Sequence, residues 1–163
     1  MKIINPDWWA KFLVLAFGFL LSVIVAYSFS CMAQSLFVLS ALEEIGADFS
    51  LTVRWKTIMH DLYGLTFSGK NISYGLVLLV GFLVALPTAR LLSKGSGLSI
   101  YLLYPLAGAV TLATILYSIN TAFFDLTFFA GTRGTLAYLV QLLSGSIGGG
   151  FFAFLSKRYG PWL

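Results

Sequence analysis

Four long apolar runs leave this chain little choice of fold. Phe12–Ala33, Tyr74–Leu91, Ile100–Ile119 and Thr135–Leu155 carry no Asp, Glu, Lys, Arg or His in their middles. Each is close to the roughly 20 residues with which an α-helix crosses a hydrocarbon layer about 30 Å thick. A mean hydropathy of +0.92 with 10% charged residues fits such a solvent; soluble domains carry about 25%. The expected architecture is an all-α integral membrane protein, one membrane domain over residues 1–163, built as a four-transmembrane-helix bundle.

The first run does not stop at Ala33. SLFVLSAL carries apolar character to Leu42, and one helix from Phe12 to Leu42 would reach about 45 Å at 1.5 Å per residue. Such a helix either projects beyond the membrane, as far as Ile45, or breaks near residues 30–35; Gly46 ends it in both cases. Lys2 and Lys11 ahead of a run this long predict an uncleaved signal-anchor helix.

The connection over residues 34–73 holds the chemistry. It carries seven of the sixteen charged residues (Glu43, Glu44, Asp48, Arg54, Lys56, Asp61, Lys70) and the only histidine, His60. Within it, Leu51, Trp55, Ile58, Met59 and Leu62 fall on an arc of roughly 100° of a helical wheel. Ser50, Arg54, Thr57 and Asp61 line a second face. This spacing predicts an amphipathic helix opened by Asp48 or Ser50 and closed by Gly64. It lies either in the headgroup plane with its stripe towards the acyl chains, as an interfacial helix, or with the stripe packed on the spans.

The remaining connections are short. SKGSGLS over residues 93–99 reads as a tight turn, and Phe123, Phe124, Phe128 and Phe129 between the last two spans are expected to dip into the interface. With the N-terminus inside, Lys2, Lys11, Arg90, Lys94, Lys157 and Arg158 lie on the inner side, against Arg54, Lys56, Lys70 and Arg133 outside. Retention of positive charge inside therefore places both termini in the cytoplasm of a bacterial-type inner membrane. The net charge of +4 follows that asymmetry and gives no reason to expect nucleic acid.

One cysteine and one histidine exclude an internal disulfide and any multi-cysteine or histidine-rich metal site within one chain, and neither metal nor cofactor is expected. There is no phosphate loop, HExxH or GxSxG. No ionisable group is expected at depth, which disfavours ion-coupled transport. Three groupings could still host chemistry. Cys31 and His60, oriented by Asp61, Glu43 or Glu44, would suit acyl transfer if they met; His60 as base with Asp61 and Arg54 would suit a lipid headgroup. Arg133, beside the free amides at the start of the last span, would suit a lipid phosphate, or it bridges to Asp125 or Asp61. In the last span Gln141, Gly145, Gly148, Gly149 and Phe152 share one face. Gly145 and Gly149 have GxxxG spacing, which suits close packing on another helix, a membrane-protein partner or a second copy, with Gln141 as interhelical glue.

The role most consistent with these residues is non-catalytic, an accessory protein that binds membrane lipids or a membrane partner. A lipid-headgroup or acyl-modifying enzyme built on His60, Asp61, Arg54 and Arg133 is the alternative, and an oligomeric channel or carrier comes third.

Overall fold

The structure, a computed structural model, describes residues 7–67, 74–122 and 134–159. Among these the chain is all helical: α1 Asp7–Glu44, α2 Leu51–Phe67, α3 Tyr74–Ser96, α4 Ile100–Ala122 and α5 Thr135–Tyr159. All but α2 are long and apolar enough to cross a membrane, which makes this a multi-pass membrane protein by length and composition.

α1 is continuous over 38 residues, about 57 Å at 1.5 Å per residue, so the break near residues 30–35 does not occur. The polar side chains there find partners instead of disrupting the helix, as described below. The end falls where expected. The Gly46 N–H donates to the Glu43 carbonyl (3.0 Å), the Ala47 N–H donates to the Leu42 carbonyl (3.2 Å), and Gly46 has φ 95°, the paired bonds that close a helix through a left-handed residue.

Gly64 does not close α2, which continues to Phe67. Gly64 is not in the left-handed region, and a helical glycine costs only about 1 kcal/mol relative to alanine. α2 contacts both α1 and α3. Its start is as expected, with the Ser50 carbonyl accepting from the Val53 and Arg54 amides. α3 runs through Pro87 and past Leu91 to Ser96. There Gly97, φ 69°, donates to the Ser93 carbonyl, and the Ser99 hydroxyl accepts from the Tyr101 amide at 3.3 Å, opening α4.

The bundle is ordered α3, α4, α5, α1, and α1 and α3 make a smaller contact that closes it. α2 lies on α1. Leu78, Phe82, Tyr104, Leu112, Ala26 and Ala153 form the centre of the core. The glycines of α5 allow the tightest approaches, but they do not act as one face. Gly145 and Gly149, four residues apart, meet the carbonyls of Gly108 and Tyr104 on α4. Gly148, about 100° further round the helix, lies against α1, where a Cβ would stand 2.6 Å from that of Ala26. Gln141 also faces α1. Each of these glycines is buried inside the bundle, so they offer no surface to a second copy.

Ser30 of α1 sits beside Gln141 of α5. From there α5 continues six residues to its first residue, Thr135, and α1 continues fourteen to Glu44, so α1 overhangs α5 by about 12 Å. α2 runs back along this overhang. The candidate site is built there.

Candidate functional site

Tyr27, Ser30, Cys31, Gln34 and Ser35 recur at three- and four-residue spacing on α1, so they occupy one side of the helix. Sequence patterning reads this stretch as part of an apolar run; the polar arc becomes visible once neighbours are known. The Ser30 hydroxyl donates to Gln141 Oε1 (2.5 Å) and lies 2.7 Å from the Tyr74 hydroxyl. A serine hydroxyl has one proton, so Tyr74 must be the donor in the second bond. Gln141 Nε2 closes the motif by donating to the Ser30 carbonyl at 3.1 Å. Thus α1, α3 and α5 are tied through a single serine. Ser30 and Gln141 are buried and Tyr74 nearly so, in surroundings where lost hydrogen bonds are not replaced by water.

On the neighbouring flank α1 meets α2. The Tyr27 hydroxyl donates to the Leu62 carbonyl at 2.8 Å. The Ser35 hydroxyl lies 2.7 Å from Asp61 Oδ2 and 3.0 Å from the Cys31 carbonyl; the charged oxygen is the stronger acceptor. Further out, Arg54 is ion-paired and hydrogen-bonded to Glu43. Such partly exposed pairs contribute about 0.2–1 kcal/mol. The negative charge that Glu43 brings to the last turn of α1, unfavourable to the helix dipole, is thereby matched by a cation.

These contacts fix how α2 is rotated. Arg54 and Asp61, two turns apart, face α1, and Ile58 between them is 4% exposed. The expected apolar stripe is therefore divided. Ile58 and Leu62 pack on the bundle, whereas Leu51, Trp55, Met59 and Tyr63, each four residues after the last, stand outward at 55–75% exposure. The helix carries its salt bridge and its partly buried carboxylate contact inward and a row of large apolar side chains outward.

Of the expected catalytic groupings, His60 and Asp61 come within 3.8 Å of each other, whereas Cys31 is buried away from solvent. Cys31 is 1% exposed and the His60 side chain 83% exposed. The thiol is sealed in the interior and the imidazole stands in the open. Arg54 and Asp61 are seven residues apart on α2, about 10 Å along the axis, and each is engaged with a different residue of α1. Arg133 and the four phenylalanines of residues 123–129 lie outside the described residues, as do Lys70 and Asp125. No group of three or more His, Cys, Asp or Glu suited to a metal ion occurs among the described residues.

Among the described residues, two buried polar atoms lack a hydrogen-bond partner: Gln34 Oε1 and Arg54 Nε. A buried amide oxygen without a donor costs about 1–3 kcal/mol. Gln34 is 9% exposed and stands one turn outward from Ser30. No feature of the sequence singles it out.

A second feature lies on the side of the bundle away from α1. A cavity of about 440 Å³ opens between α3 and α4, lined by residues that include Gly81, Ala85, Leu92, Leu106 and Ile115. Its three threonines turn their hydroxyls back to their own helices: Thr88 to Val84, Thr111 to Ala107 and Thr114 to Val110. The surface left is apolar, as an acyl chain requires and a polar solute does not.

No protein-family model, no curated protein and no solved structure matches this chain.

Proposed function

We propose that this is a non-catalytic, lipid-binding protein of a bacterial-type inner membrane, with both termini cytoplasmic, whose α1–α2 overhang contacts the outer leaflet. The observation that carries this reading is the rotation of α2. A helix standing in water would put Leu51, Trp55, Met59 and Tyr63 on α1 and leave Arg54 and Asp61 to the solvent; here the arrangement is the reverse. An apolar row turned outward lowers the free energy only where acyl chains meet it, at about 25 cal/mol per Å² removed from water. The excess of Lys and Arg on the inner side supports the orientation, and the apolar α3/α4 cavity supports lipid as the ligand.

The enzyme reading is the weaker one. Cys31 is buried, the His60 side chain is 83% exposed and Arg54 is paired with Glu43, and a general base must reach the proton it removes.

Trp55 tests the proposal. In vesicles of phosphatidylcholine brominated near the acyl glycerol end, its fluorescence, isolated by subtracting a Trp55→Phe variant, should fall by about half or more relative to unbrominated vesicles, as expected of a ring at the acyl boundary. Quenching by aqueous iodide and none by bromolipid would rule out the lipid contact.

A further inference from the structure

We propose that the α3/α4 cavity holds one acyl chain of an anionic phospholipid, whose headgroup phosphate is met by Lys94 and Lys157 beside the α3–α4 turn. This rests on the lipid-binding reading and specifies the charge, the number and the leaflet of the lipid.

The shape argues for a single chain. The lining runs along α3 from Gly81 to Leu92 and along α4 from Leu103 to Ile115. On α3 that is about 16 Å of helix, close to the roughly 15 Å that one leaflet supplies to a 30 Å hydrocarbon layer. Ala89, Leu103 and Thr111 form a buried floor, whereas Val84, Leu92, Leu106 and Val110 are exposed walls, so the cavity is a groove open along its side to whatever surrounds the bundle. At the Gly81 end the two helices touch: a Cβ there would stand 2.6 Å from Thr111 Cγ2 and 3.3 Å from Ile115 Cδ1. A third helix, about 10 Å across, would need upwards of about 1,000 Å³ over the same length, against the cavity's 440 Å³. It could lie over the groove but not in it.

The charge of the headgroup follows from the other end. Gly81 stands near the middle of the apolar stretch of α3, so a chain in the groove carries its phosphate to the turn over residues 97–99. Lys94 follows Leu92 there, and Lys157 of α5 places its ammonium 5.0 Å from the ring centroid of Tyr101, two residues before Leu103. Both lysines are exposed. Arg90 and Arg158 add to the same end, and no Asp or Glu occurs from residue 74 to 122 or from 134 to 159. The carboxylate that the sequence does bring to that end is Asp7, at the start of α1, the helix diagonal to α4 in the bundle. A basic surface of this kind at a membrane face recruits anionic lipid in preference to zwitterionic lipid. With both termini cytoplasmic, the leaflet is the inner one.

The test is native mass spectrometry of the purified full-length protein in detergent, titrated with phosphatidylglycerol and with phosphatidylcholine of the same chains. The wild type should take up one distinct equivalent of phosphatidylglycerol, about tenfold more tightly than phosphatidylcholine, the order of effect that two basic residues have at a membrane surface. Lys94→Gln combined with Lys157→Gln should erase that preference and leave phosphatidylcholine binding as it was. Ala85→Phe and Thr88→Phe, which fill the groove, should each weaken the first equivalent of both lipids about tenfold or more, with the thermal midpoint reporting that the variants fold. Thr88 is exposed, so its variant serves where Ala85→Phe does not fold. Equal affinity for the two lipids, a preference that survives the double lysine variant, a first equivalent untouched by groove filling, or uptake of many equal equivalents each overturns the inference. Trp55 quenching reads the α2 contact separately: quenching with no distinct phosphatidylglycerol equivalent removes the groove site and keeps that contact, and a groove lipid without quenching does the opposite.

Discussion

A leucine at Gly149 should leave no stably folded bundle to purify. The Gly149 Cα sits so close to the Tyr104 carbonyl of α4 that even a Cβ would collide with it, and Gly108 and Gly145 face each other in the same way one turn along. These are backbone atoms, which cannot rotate aside as a side chain can. Accommodating the new group means parting α4 from α5, the pair with the most extensive contact in the molecule. In lipid, helix association relies on close packing because the solvent is as apolar as the side chains, so separation is not offset by a hydrophobic term. Overpacking of a compliant core costs typically 1–3 kcal/mol, and here we expect more than about 3 kcal/mol, a large fraction of the roughly 5–15 kcal/mol by which proteins are stable. Gly150→Ala and Gly18→Ala are the controls. Their nearest neighbours, Pro105 Cγ at 3.6 Å and Leu155 Cδ1 at 3.5 Å, are at ordinary contact distance, and each variant should stay within about 0.5 kcal/mol of wild type. Unfolding by SDS titration, with size-exclusion profiles in mild detergent, measures all three.

The second large effect is expected at Gln141. Leucine has similar bulk but removes both the acceptor for the Ser30 hydroxyl and the donor to the Ser30 carbonyl. Hydrogen bonds between membrane helices contribute from about 0.6 to 1.7 kcal/mol each, so Gln141→Leu should lower stability by about 1–2 kcal/mol in the same titration. Tyr74→Phe removes the donor on the other side of the same hydroxyl. Because one serine hydroxyl makes both contacts, donating to Gln141 and accepting from Tyr74, the double variant should lose measurably less than the sum of the singles, as residues in one network do. Strict additivity would mean that Ser30 does not couple α3 to α5.

How far the residues announced this arrangement differs from one element to the next. The four apolar helices and the closing turn at Gly46 follow from local chemistry: hydrophobic length, and a glycine able to take positive φ. Pairing of Gly145 and Gly149 with a helix was legible from their spacing, but not which helix, because that depends on where Gly108 sits on α4. The amphipathic character of α2 was equally legible, and its rotation was not. A wheel gives the angle between Trp55 and Arg54 but no information on which of them meets α1; Glu43 and Ser35 decide it through contacts between residues eleven and twenty-six positions apart. Gly64 misled because glycine permits a left-handed turn without requiring one. The polar arc of α1 was hidden for a related reason. Ser30, Gln34 and Ser35 are small or neutral within a strongly apolar run, and their importance comes from Tyr74, Gln141 and Asp61, none of which is near them in sequence. Cys31 and His60 were drawn together by being the only residues of their type, a property that exerts no force on the fold.

The inverted rotation of α2 is the claim on which the functional account stands, and two neighbouring residues test it directly. Met59 and His60 are about 100° apart on the helix and both exposed, the first in the outward apolar row and the second beside it. Nitroxide labels should be placed at each in turn, in a Cys31→Ala background reconstituted in bilayers, and their collision rates measured with oxygen and with a water-soluble nickel chelate. The account predicts that the label at 59 collides more with oxygen and the label at 60 more with nickel. Equal access of nickel to both positions, or the opposite order, would contradict it.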